Sequence, residues 1–180
     1  MKILVVVDVQ NDFVTGTLGS KEARAIIPNI KEKVNEYSNS ADSLIVYTRD
    51  THYSNYFQTM EGKILPIPHC IHETSGWDIV EDVINENSAY AIIDKNTFGK
   101  RDIAERILSI VGEAFESFDI ESIEIVGLCT DICVIANAIL LKTAFSEIPI
   151  KVDSKCCAGS NKKMHDAALN VMKSCQIEVD

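Results

Sequence analysis

Ser122-Ile123-Glu124-Ile125-Val126-Gly127-Leu128-Cys129-Thr130-Asp131-Ile132-Cys133 is the stretch that decides how the chain is read. Its first half is an apolar run rich in isoleucine and valine. Polar Thr130 and Asp131 then precede apolar positions that recur at helical spacing as far as Phe145. The segment reads as strand, tight turn and helix start, with Thr130 or Asp131 as the helix cap. Working outward, the same alternation repeats. Strands are expected over Ile3 to Val9, Ser43 to Tyr47, Tyr90 to Ile93, Ser122 to Gly127, Ile150 to Val152 and Ile177 to Val179. Helices are expected over Ala23 to Ser38, Asp102 to Phe115, Asp131 to Phe145 and Lys162 to Ser174. Short Val/Ile runs buried on both faces need helices above and below, joined by right-handed crossovers. The pattern therefore predicts an α/β fold, a three-layer α/β/α sandwich around a central, mostly parallel sheet of about six strands.

Composition narrows the function. The chain has 180 residues, 46% hydrophobic and 24% charged, which suits one folded domain over residues 1–180. A net charge of -10 opposes binding to nucleic acid or to anionic lipid. No run approaches the ~18 apolar residues of a membrane span. The short run Ile3 to Val7 ends on Asp8 without a signal-peptide pattern, so a cytoplasmic protein with free thiols at its six cysteines is expected. The segment from Arg49 to Asn87 breaks the α/β rhythm and holds three of the four histidines. A connection that long in a compact domain is usually functional.

Ligands of open parallel sheets bind outside the carboxyl ends of the strands. Asp8 interrupts the first apolar run there, Lys95 follows the strand ending at Ile93, and Cys133 lies just past the strand ending at Gly127. A carboxylate, an amine and a thiol on one rim are the groups acyl transfer needs. In the first turn of a helix, Cys133 would meet unpaired N–H groups and the positive end of the dipole, which favour a thiolate and an oxyanion. By position alone, a cysteine beside a sheet is more often a small buried hydrophobe. Asp8 reads equally as a turn cap, and Lys95 as a solvated lysine.

The blocks Val7-Asp8-Val9-Gln10-Asn11-Asp12-Phe13, Thr48-Arg49-Asp50-Thr51-His52, Pro68-His69-Cys70, Asp94-Lys95 and Gly127 to Val134 occur in an order that resembles the isochorismatase-like cysteine hydrolases, in particular their nicotinamidase branch. The resemblance implies that fold and a catalytic group of Asp8, Lys95 and Cys133. Asp8 would move protons, Cys133 would attack a small, aromatic carboxamide such as nicotinamide, and a thioester would follow. It also implies an oxyanion hole from the N–H groups of Cys129 and Cys133, with a cis peptide between Leu128 and Cys129. Phe13 and Leu128 would contact the substrate. Asp50, His52 and His69 resemble ligands of a divalent metal, whether zinc, iron or manganese. The further histidine of the family motif is missing, its neighbourhood being Tyr53 to Gln58. The tryptophan usually found before the loop histidine is also missing; Phe98 and Tyr56 are candidates for the pocket wall. His165 reads as a surface residue. Similar proteins are commonly dimers or tetramers, so a homo-oligomer is expected.

Two other readings share these residues. A relative acting on a carbamoyl compound or a different amide keeps the same catalytic group, whereas an isochorismate-type vinyl ether is disfavoured by the nucleophilic Cys133. A non-enzymatic thiol sensor is conceivable with adjacent Cys156 and Cys157, but it has no need of Asp8 with Lys95.

Overall fold

The computed structural model describes residues 1–85, 88, 90–114 and 119–180. Phe115 and Asn87, expected at the ends of a helix and of the long loop, lie outside them. In chain order the elements are β1 (Lys2–Val7), α1 (Asn11–Val14), α2 (Lys21–Ser38), β2 (Ser43–Asp50), α3 (Met60–Ile64), β3 (Tyr90–Lys95), α4 (Ile103–Ala114), β4 (Ser122–Leu128), α5 (Ile135–Ala144), β5 (Ile150–Ala158), α6 (Lys162–Ser174) and β6 (Glu178–Val179). The strands form one six-stranded sheet in the order β3-β2-β1-β4-β5-β6, and every pairing is parallel. β1 sits at the centre, and the order reverses between it and β4.

Strand parity divides the core. Ile3, Val5 and Val7 of β1 pack with Ile123 and Ile125 against α4, α5 and α6. Leu4 and Val6 point the other way, with Val126 and Leu128, onto Ile26, Ile30 and Val34 of α2. Helix α2 starts at a serine cap, Ser20 Oγ accepting from Ala23 N–H at 3.0 Å. One helix therefore covers one face, and three cover the other.

Three strands run past their expected ends because their polar residues find partners within the fold. In β2 and β3, Arg49 makes two hydrogen bonds to Asp94, at 2.7 and 3.1 Å. In β5, Asp153 is held by Lys33 of α2 at 3.0 Å, and a register shift opposite Ile125 to Gly127 carries the strand on through Cys157 and Ala158. Gly127 has φ +123°, and a Cβ there would lie 2.1 Å from the carbonyl oxygen of Val7. Only glycine lets β4 pass β1 this closely.

The helix start after β4 differs from the cap read in the sequence. Residues Thr130–Val134 form a π-turn, and Cys129 occupies the cap position without a side-chain bond. Asp131 instead accepts from the N–H and hydroxyl of Ser160, at 2.7 and 2.6 Å, and Thr130 Oγ1 lies 2.8 Å from His165 Nδ1. His165 is half-buried rather than a surface residue, since α6 packs on this turn. Among the described residues no helix is long and apolar enough to cross a membrane.

Candidate active site

Asp8, Lys95 and Cys133 meet at the carboxyl rim where the strand order reverses. Asp8 follows β1 in a left-handed conformation, φ 49°, and is fully buried. Such a conformation in a non-glycine residue costs about 1–3 kcal/mol and persists only where its surroundings enforce it. Here Thr48 Oγ1 donates to Asp8 Oδ1 at 2.6 Å, and the backbone N–H of Asp8 donates back to Thr48 Oγ1 at 3.2 Å. Lys95 Nζ lies 2.6 Å from Asp8 Oδ2, 3.5 Å from Asp50 Oδ1 and 3.6 Å from Cys133 Sγ.

Burial and the neighbouring charges shift all three groups. Burial pushes the Asp8 carboxyl up from its ordinary value, and the Lys95 charge opposes that shift. Burial disfavours the charged form of Lys95, but Asp8, Cys133 and Asp50 outweigh it and raise its pKa. Burial and the Asp8 charge push the Cys133 thiol well up, against Lys95. That direction runs against a helix-stabilised thiolate, because at 6% exposure burial disfavours the charged sulfur.

Beside this group, Asp50, His52, Glu61 and His69 bring their ligand atoms within 4.8 Å of one another. Glu61 lies outside the segment where the sequence lacks a histidine. It reaches the group because Thr59 caps α3, accepting from Gly62 N–H at 3.0 Å, and turns the helix inward. Gly62 is required there, since a Cβ would lie 2.1 Å from the carbonyl oxygen of Tyr56. A Thr59 cap nine positions before Pro68 was the sequence signal for this helix, but nothing local aimed Glu61 at the histidines. His69 Nδ1 is 2.9 Å from the Ile67 carbonyl oxygen, an arrangement that leaves Nε2 for the cluster. His52 Nε2 is buried 3.0 Å from Asp50 Oδ2 yet has no well-formed hydrogen bond. An orphaned buried imidazole nitrogen facing two carboxylates fits a divalent cation, and two imidazoles with two carboxylates suit zinc, iron or manganese.

The motif residues around Asp8 frame this cluster. Gln10 is fully buried; its Nε2 donates to the Asp50 and Trp77 carbonyls at 2.9 and 2.8 Å, and its Oε1 accepts from Asp50 N–H at 2.7 Å. Asp12 accepts from Cys70 N–H at 2.7 Å, beside His69. Gln10 stitches the first loop to Asp50 of β2 and Asp12 stitches it to the loop that carries His69, roles the sequence left unread.

A cavity of about 450 Å³ opens onto Cys133, Asp50, Glu61 and His69. Phe13, Leu18, Ile64, Leu65, Phe98 and Ile132 give it apolar walls, with Cys129 and Ser160 at its edge. Phe13 packs on His69 with ring centroids 5.4 Å apart. Leu128, expected at the substrate, turns its side chain away: it shares the parity of Val126 and is buried in the core under α2. Tyr56 is also absent from the walls, lying beneath the cluster with its hydroxyl bonded to the Leu65 carbonyl at 2.8 Å. The Leu128–Cys129 peptide is trans, contrary to the expected cis bond. An extended Cys129, φ -83° and ψ 144°, brings the chain into the π-turn without the less favourable isomer.

A sequence model of the isochorismatase domain matches residues 2–179. The chain belongs to the isochorismatase family. This isochorismatase-family hydrolase is 26% identical over 175 residues to a nicotinamidase of Saccharomyces cerevisiae, an alignment covering 77% of this chain and 80% of that protein. Its fold is similar to a pyrazinamidase/nicotinamidase from Streptococcus mutans UA159, with TM-score 0.82, 24% identity and 100% of both chains covered. It is also similar to a pyrazinamidase of Pyrococcus horikoshii solved in complex with zinc, with TM-score 0.76, 26% identity and 99% and 98% of the two chains covered.

Proposed function

We propose that this protein is a cysteine amidohydrolase that cleaves a small aromatic carboxamide, such as nicotinamide, to the acid and ammonia. The observation that carries the reading is the Asp8–Lys95–Cys133 group, whose Cys133 opens onto a cavity walled by Phe13 and Phe98. Asp8 takes the Sγ proton as the sulfur attacks the carboxamide carbon. The negative charge then passes from one neighbour of Lys95 to another, so the buried group keeps its net charge. N–H groups at the Cys133 turn receive the oxyanion. Asp8 returns the proton to the departing nitrogen, ammonia leaves, and a thioester remains. Asp8 then draws a proton from water as it attacks the thioester, and releases the acid by restoring the thiol.

A divalent cation held by Asp50, His52, Glu61 and His69 would supply Lewis acidity at the cavity wall and an anchor for a basic substrate atom or water. Phe13 and Phe98 grip an aromatic ring between them. A thiol-sensor role has little support beside this, because sensors expose a thiol of low pKa whereas Cys133 is buried and its pKa is raised.

Ammonia release from nicotinamide, benzamide and an N-carbamoyl amino acid tests the reading. Turnover of nicotinamide is expected, falling by at least about a thousandfold in Cys133→Ala. An alanine variant that keeps wild-type turnover overturns the nucleophile. Cleavage of the carbamoyl compound alone moves the substrate and leaves the mechanism.

A further inference from the structure

Asn137 lies one helical turn beyond Cys133 on α5 and is fully buried. Its side-chain amide spends its hydrogen-bonding capacity in two directions. Nδ2 donates to the Cys133 carbonyl oxygen at 2.8 Å and to the Phe98 carbonyl oxygen at 3.2 Å, while Oδ1 accepts from Lys100 N–H at 2.9 Å. The last two bonds bracket Gly99, the point at which the loop after β3 touches α5: a Cβ on Gly99 would lie 2.8 Å from Leu140 Cδ1 and 3.1 Å from Ala136 Cβ. The bracketed loop begins one residue after Lys95 and carries Phe98, whose side chain is 51% exposed and has no core packing of its own to fix it. Phe98 matters because it stands between two spaces. With Glu61 and Ile64 it borders both the reaction cavity of about 450 Å³ and an adjoining cavity of about 520 Å³ lined also by Thr51, His52 and Asn96.

We infer that Asn137 is a positioning residue that sets the size of acyl group the site accepts, by holding Phe98 as the partition between these cavities at a fixed distance from Cys133. This builds on the amidase reading, but the partition itself does not depend on it. One buried amide ties the wall and the nucleophile turn together, and an apolar side chain in its place would leave three backbone groups without their partner. Threonine separates the two arms. Its hydroxyl can bond back to the carbonyl four residues earlier, here Cys133, but is too short to bracket Gly99.

The test reads Cys133 alkylation by peptide mass, comparing iodoacetamide with a bulky N-aryl iodoacetamide. The rate ratio cancels the intrinsic reactivity of the thiol. In Asn137→Thr the bulky-to-small ratio is expected to rise roughly tenfold, the discrimination that one displaced group makes in an apolar pocket. Phe98→Ala should give a similar rise, and the double variant little more. Lys100→Pro removes one arm from the loop side and leaves α5 untouched, so the answer is legible even if an α5 variant folds poorly. Ratios within about twofold of wild type in Asn137→Thr and Lys100→Pro overturn the proposal. Where the amidase reading holds, Asn137→Thr also raises KM for nicotinamide and improves quinoline-3-carboxamide relative to it, while Asn137→Leu lowers kcat as well. Failure to release ammonia from any amide counts against the amidase reading, and the alkylation ratio still decides the partition.

Discussion

At Gly127 in β4 and at Asp8 just past β1 the backbone adopts left-handed angles, the first enforced by β1 and the second by Thr48 of β2 and Lys95 of β3. Gly127 is the sharper case because the Val7 carbonyl occupies the place of a side chain. Gly127→Ala is expected to cost about 3–4 kcal/mol, combining a strained φ with a backbone clash in the centre of the sheet. Urea denaturation measures it, and a loss below about 1 kcal/mol would show that β4 can move away from β1 at little cost. Asp8 accepts its strain for a different reason. The left-handed turn puts its carboxylate between Thr48 and Lys95, where burial pushes its pKa up against the Lys95 charge. Its place at a strand end is readable from neighbouring residues; the raised pKa comes from depth, which only packing sets.

Among the elements, α3 changes the reading most. The sequence showed three metal-type ligands and a gap where a histidine was expected; the folded loop brings Glu61 in instead. Glu61→Gln should lower metal retained per protein after dialysis against a weak chelator, with affinity falling about 10–100-fold, whereas Glu61→His should restore it. Metal content is measured directly, so the result does not hang on activity. Wild-type retention by Glu61→Gln would remove Glu61 from the ligand set. The turn after β4 gives the opposite lesson. Its place was legible from Gly127 to Cys133, but its cap was not, because Asp131 turns to Ser160 just before α6 and Thr130 to His165 on α6, nearly thirty residues or more away along the chain.

Across the whole molecule, a second charged group lies at the sheet, between α2, β4 and β5. Lys33 of α2 sits 3.0 Å from both Glu124 of β4 and Asp153 of β5, and the Tyr37 hydroxyl donates to Glu124 at 2.9 Å. Burial opposes ionisation of Asp153, but Lys33 outweighs it and holds the carboxyl below its ordinary value. A depressed carboxylate stabilises the fold above its unfolded pKa, about 4, and that contribution drains away as pH falls through the folded value. Burial likewise opposes the charged Lys33, yet its two carboxylates raise it above 10.5, so its contribution is present at neutral pH and lost only as pH rises past that point. Lys33→Met is therefore expected to cost about 2–3 kcal/mol at pH 7 and much less at pH 2.5. Denaturant midpoints at the two pH values check the sign, and an equal cost at both would mean that packing of the lysine stem is what matters.

The same split between local and long-range causes governs the whole reading. Periodicity and residue type are written locally, so the sequence by itself determined the α/β alternation, the parallel sheet and the arrival of Asp8, Lys95 and Cys133 at one rim. Strand ends were less legible: Arg49, Asp94 and Asp153 look like loop residues until their partners on other elements are seen. What the tertiary structure alone decided concerns groups far apart in the chain. Leu128 faces α2 because the pleat of β4 turns it there, Glu61 meets His52 and His69 because a capped turn folds inward, and the Cys133 pKa is pushed up because the core excludes water from it. Each depends on burial and on partners brought together by packing, quantities that no stretch of neighbouring residues carries.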